Sequence, residues 1–177
     1  DKQDYEAAIS AYSESVQMGN TMAMMALGRI YEMGFGVEPS IENAYVYFDM
    51  AAKQREPYAI YWLGKAHEQY HLPPDFMQNE GDYSGQKFLG DDVNGSARQG
   101  NQNYSKAYQC YKRAADEEIK EAIFKLGEFS EKGIEMDQNY HIAIKKYDEA
   151  AAFGHERAMN ALGLLFYHEF NDPFQAV

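Results

Sequence analysis

With a single cysteine, Cys110, the 177-residue chain has no second thiol for an intrachain disulfide, which favours a reducing compartment such as the cytoplasm. Basic residues are also short: 16 Lys and Arg face 28 Asp and Glu, a net charge of −12. Binding to a phosphate backbone needs a surplus of cations, so the chain should not take nucleic acid as a partner, and anionic lipid surfaces should repel it. No run of 18 or more apolar residues occurs, so nothing in it should span a membrane or insert directly into one. The chain opens at Asp1 without a charged-then-apolar leader, so any targeting signal is expected to lie outside this stretch. Two glycosylation-type tripeptides, Asn94-Gly95-Ser96 and Asn103-Tyr104-Ser105, keep a secretory lumen open as the alternative.

Against these absences stands a repeat. Ala23-Met24-Met25-Ala26-Leu27-Gly28, Ala59 to Gly64, Ala122 to Gly127 and Ala158 to Gly163 all read Ala-x-x-x-Leu-Gly. The steps between Leu27, Leu63, Leu126 and Leu162 are 36, 63 and 36 residues, one period recurring with an insertion of 27 in the middle. Such a period signals stacked supersecondary units. Apolar positions at helical spacing predict helices near 4–18, 21–33, 40–54, 57–70, 103–116, 119–132, 138–153 and 156–170. Gly19-Asn20 stops the first, Gly34 to Pro39 forms a turn with two glycines, and Ser40 and Asp137 are candidate N-caps. Ala44 and Ala51, Ala107 and Ala114, and Ala143 and Ala150 are each seven apart, small residues that let helices approach while the leucines fill the space between.

The order Ala-x-x-x-Leu-Gly-x-x-Tyr-x-x-Gly-x-Gly-Val, then Ala-x-x-Tyr-Phe-x-x-Ala-Ala, resembles the Sel-one-like repeat, a relative of the tetratricopeptide repeat. Residues 23–52 match nearly throughout. The copy at Ala122 keeps Gly133 but carries Ser130 for the Tyr and Glu135 for the second Gly; the copies at Ala59 and Ala158 carry His67 and Phe166 for the Tyr. The resemblance implies an all-α, right-handed superhelical solenoid of antiparallel helix pairs and a non-catalytic role as scaffold or adaptor. Residues 1–177 then form one array, pairing 57–70 with 103–116 across a loop insertion at 71–102 that is partly mobile. The terminal helices keep Tyr5, Ile9 and Tyr12 at one end and Leu164, Leu165 and Phe166 at the other, where a polar capping face is expected. The array is therefore expected to be truncated at both ends.

One catalytic signature competes. His67-Glu68-Gln69-Tyr70-His71 reads H-E-x-x-H, the zinc-hydrolase helix motif. Against it, His67 falls in the inter-helix seam of the repeat register, Leu72-Pro73-Pro74 ends the helix at His71, and no third ligand follows at family spacing. Asp91-Asp92 lacks the first ligand of a calcium loop, and Gly34-Phe35-Gly36 follows no strand, so neither a metal nor a cofactor is read from them. Cys110, at a core-facing register position, is expected to be a buried inert thiol.

Protein or peptide partners are the expected ligands. In tetratricopeptide-like arrays the first helix of each pair lines the concave face. By that analogy Met22, Met25, Arg29 and Glu32 should face the groove, followed by Tyr58, Tyr61, Lys65 and Glu68. The later copies supply Glu121, Phe124, Glu128 and Glu131, then Arg157, Asn160, Leu164 and Tyr167. Tyr, Met, Phe and Arg are the types enriched where proteins meet partners. A regulatory segment attached to an enzyme in flanking sequence is a further alternative.

Overall fold

The structure, a computed structural model, describes residues 2–70 and 103–171. All regular structure among them is α-helical. The chain divides into two compact units, 1–103 and 104–177. The first holds α1 (Lys2–Gln17), α2 (Thr21–Met33), α3 (Ile41–Lys53) and α4 (Pro57–Gln69). The second holds α5 (Tyr104–Asp116), α6 (Lys120–Lys132), α7 (Tyr140–Ala152) and α8 (Glu156–Asn171). Within each unit every helix packs on the next along the chain, most densely α2 on α3 and α6 on α7.

The repeat positions explain that packing. Each repeat alanine is at most 3% exposed, from Ala23 through Ala158. Leu27, Leu63 and Leu126 are 0, 8 and 7% exposed, each worth about 2 kcal/mol of burial. Leu162 is half-buried against the core cluster that includes Ile123, Phe124 and Tyr147. The glycine after the leucine has a steric purpose. A Cβ on Gly28 would come within 2.8 Å of the Phe48 ring, and one on Gly127 within 2.5 Å of Tyr147. The bare backbone lets an aromatic ring from α3 or α7 lie directly on α2 or α6.

Chain reversals repeat as well. Gly19, Arg55, Glu118 and Gly154 all adopt positive φ, at 79, 64, 59 and 76°, on the same 36-63-36 spacing as the leucines. Gly36 and Glu135 form a second such set, at 75 and 60°. Glycine takes this conformation without a steric cost; an L side chain pays about 1 kcal/mol or more. The backbone turn is thus kept where the glycine is not.

Ser40 is the N-cap of α3, its hydroxyl accepting from the Asn43 N–H at 3.1 Å. Asp137 is not the corresponding cap. Asn139 is, accepting from the Ile142 N–H at 3.0 Å. The reason lies in the turn: the Ser40 and Asn139 N–H groups donate to Tyr31 O and Ser130 O at 2.9 and 2.8 Å, which fixes both helix starts. Cys110 is half-buried, more open than its register position suggested. The expected insertion at 71–102, with Asn94, lies outside the described residues.

Candidate partner-binding face

In the first unit α2 and α4 present their register faces to one groove of about 680 Å³. Met22, Met25, Arg29 and Glu32 line it from α2; Tyr58, Tyr61 and Lys65 line it from α4. Ala26, Met33, Phe48, Glu56 and Trp62 complete the lining. Glu68, half-buried, is not among the lining residues. Met22 and Tyr58 stand 73 and 45% exposed at the α2 and α4 N-terminal ends. Tyr58 and Tyr61 meet edge to face, with centroids 6.2 Å apart.

Lys65 and Glu32 clasp across the groove, Nζ to Oε1 at 2.7 Å. Burial, the largest single effect, would lower the Lys65 ammonium, but its bond to Glu32 together with the charges of Glu32, Tyr70 and Tyr61 outweighs this and leaves it above its ordinary value. Two donors stay unmatched. Arg29 is exposed with no acidic partner among the described residues. Trp62, 6% exposed and stacked on Phe48 at 4.1 Å, has its indole N–H buried without an acceptor. Register reasoning did not name Trp62, Met33 or Phe48, which the two-helix groove draws from between and beside the projected positions.

The second unit uses the same register differently. Phe124 is 5% exposed and does not face a partner. The Arg157 guanidinium covers its ring at 4.9 Å, the His155 ring stacks on it at 4.4 Å, and Tyr147 packs at 5.3 Å. Glu128 sits among Lys125, Arg157 and Lys132 at 2.8, 3.7 and 3.9 Å. Glu131 accepts from the Tyr147 hydroxyl, and burial followed by this bond pushes the phenol well above its usual range. Glu121 is half-buried, while Asn160, Leu164 and Tyr167 are exposed along α8. His155 Nδ1 accepts from the Ala158 N–H at 3.2 Å, capping α8, and burial lowers its imidazole.

Of the H-E-x-x-H stretch, His67 to Tyr70 fall among the described residues. His67 is 3% exposed in the α3–α4 seam, its Nε2 3.4 Å from the Tyr45 hydroxyl. The helix ends at Gln69, and Tyr70 is extended at φ −110 and ψ 142; His71 lies outside the described residues. No cluster of three metal-ligating side chains occurs among the described residues. No helix among them is long and apolar enough to cross a membrane.

Consecutive helix pairs with small-residue seams define an α-solenoid repeat protein. Residues 21–55, 85–118 and 120–155 match the Sel1 repeat family model, more than half of the chain, and the chain belongs to that family. The middle match takes its first part from residues 85–103, where the register reading had used 57–70. Solved structures share the fold. A protective antigen of uropathogenic Escherichia coli strains, displaying an SLR fold, is 22% identical with a TM-score of 0.69, over 90% of this chain and 29% of that one. A Sel1 repeat protein from Oxalobacter formigenes is 22% identical with a TM-score of 0.66, over 88% of this chain and 52% of that one. The chain thus spans well under two thirds of either relative. No curated protein matches the sequence.

Proposed function

We propose that this chain is a non-catalytic interaction scaffold that holds partner proteins or peptides on the face formed by the first helix of each repeat, with α2 and α4 as the principal site. The groove between those helices carries the reading. Three methionines face Tyr58, Tyr61 and Trp62 across a space of about 680 Å³, large enough for several side chains of a peptide. Methionine and aromatic walls repack around varied apolar groups, which suits peptide anchors. Charges of both signs at Arg29, Glu32, Glu56 and Lys65 add orientation. A reducing, cytoplasmic setting fits a chain whose one thiol, half-buried Cys110, has no second cysteine to bridge to.

The test is a binding assay with the paired variant Tyr58→Ala, Tyr61→Ala. Loss of peptide or partner binding with an unchanged helical spectrum is expected; unchanged binding overturns the site. The zinc reading is disfavoured by His67 facing Tyr45 inside a helix seam. Near-stoichiometric zinc in the purified chain, lost on His67→Ala, would reverse that judgement.

A further inference from the structure

We infer that the outer face of α8 docks α1 of a second copy of this chain, joining copies head to tail through Gly163 and Tyr12. Gly163 closes the fourth Ala-x-x-x-Leu-Gly copy, as Gly28 and Gly127 close the first and third. Those two glycines each lie beneath a ring of the following helix, Phe48 or Tyr147, so close that a Cβ would collide. Around the Cβ position of Gly163 nothing lies within 4 Å. Glycine inside a helix is unfavourable relative to alanine, and no contact among the described residues explains it here. The flanking positions are open in the same way. Met159 and Phe166 are 51 and 43% exposed. Their register equivalents on α2 and α6 are covered: Met24, Ile123 and Ser130 are buried, and Tyr31 stacks on Tyr47 of α3.

α1 has the complementary lack. Positive-φ Gly19 follows α1 as Arg55, Glu118 and Gly154 follow α3, α5 and α7, so α1 is the second helix of a repeat. Tyr12 then holds the position of Phe48 and Tyr147, just as Ala8 holds that of Ala44 and Ala143. Phe48 and Tyr147 are buried on their glycines, whereas Tyr12 is 39% exposed. One end of the chain thus carries a glycine without a ring, and the other a ring without a glycine. Seating Tyr12 of one copy on Gly163 of the next repeats the α2–α3 and α6–α7 joints, the densest helix contacts in the chain. Such a contact uses a different face on each copy, so it propagates in one direction rather than closing as a symmetric dimer. A single helix-on-helix joint is small and therefore weak. The net charge of −12 on each copy opposes it, so added salt should strengthen it.

Sedimentation velocity tests this on the chain from about 5 μM to about 500 μM, the range in which a small interface associates. The mean mass of the wild type should rise with concentration and pass that of a dimer. Tyr12→Ala removes the ring, and Gly163→Leu fills its seat; each variant alone should stay a monomer. Mixed in equal amounts they should form a dimer and nothing larger. The open seat of the first still takes the ring of the second, and no other productive pair remains. Gly163→Ala guards against loss by unfolding: it should weaken association about tenfold through the clash with the ring, while its melting temperature stays at or above that of the wild type. A wild-type monomer at every concentration overturns the joint, whether the face stays open or a further helix of a longer polypeptide covers it. Wild-type association in either single variant overturns it too, as does a mixture that remains monomeric.

Discussion

The two units build the same register into opposite surfaces. At equivalent positions the first has Met25 and Tyr61 lining an open groove, and the second has Phe124 sealed beneath Arg157 and His155. Arg29 in the first unit is unpaired, while its counterpart Glu128 in the second sits among three cations. One face keeps its bonding capacity for something else; the other spends it internally. A repeat therefore fixes where a side chain stands, and its neighbours across the seam decide whether it is available.

The comparison is broken most sharply at Phe124 and Tyr61. Phe124→Ala should cost about 4 kcal/mol in urea unfolding, because it empties a packed aromatic site. Tyr61→Ala, at the matching register position but half-buried, should cost about 1 kcal/mol and act mainly on binding. On the binding side, Tyr58→Ala with Tyr61→Ala should weaken a groove-selected peptide at least about tenfold, whereas Arg157→Ala should leave it unchanged in the same titration. Smaller effects lie in the reversals: Arg55→Gly and Glu118→Gly should each stabilise by about 1 kcal/mol, and Gly19→Ala and Gly154→Ala should destabilise by a similar amount through φ alone.

The smallest contrast depends on pH. Burial holds the His155 imidazole below its ordinary 6.5, so the folded state keeps it neutral where the unfolded chain takes up a proton. That contribution to stability is present above pH 6.5 and is lost as pH falls through the lower folded value. Protonation also turns Nδ1 from acceptor to donor and removes the α8 cap. The Asn20 cap of α2 does not titrate. From about pH 7.5 to about pH 5.5, amide exchange at the α8 start should therefore quicken relative to α2 beyond the intrinsic change, and His155→Asn should abolish the difference.

Much of the fold was legible because the pattern constrains it many times over. Alanines and leucines at fixed spacing gave eight helices whose ends fell within about two residues of those observed. The positive-φ set at Arg55 and Glu118 was equally available from the spacing of Gly19 and Gly154, but residue type masked it. Asp137 was misread as a cap because a side chain cannot reveal the Asn139 backbone bond to Ser130. For the face, register supplied the direction of Phe124 but not the size of what covers it. Arg157 and His155 come from another turn of the array, and that tertiary contact overrides the helical projection. Residues 85–103 show a further limit: composition read as loop, while the family model matches them as part of a repeat.

The rings of Phe48 and Tyr147 lie against naked backbone at Gly28 and Gly127, so the paired helices α2–α3 and α6–α7 are each fastened more closely than the joints on either side. Under tension applied along the polypeptide, those looser joints should yield first. The molecule would then lengthen in discrete jumps, each letting go a whole hairpin of two helices. Compliance in such a protein belongs to the boundaries between hairpins, where a partner lying across the groove would act as a splint.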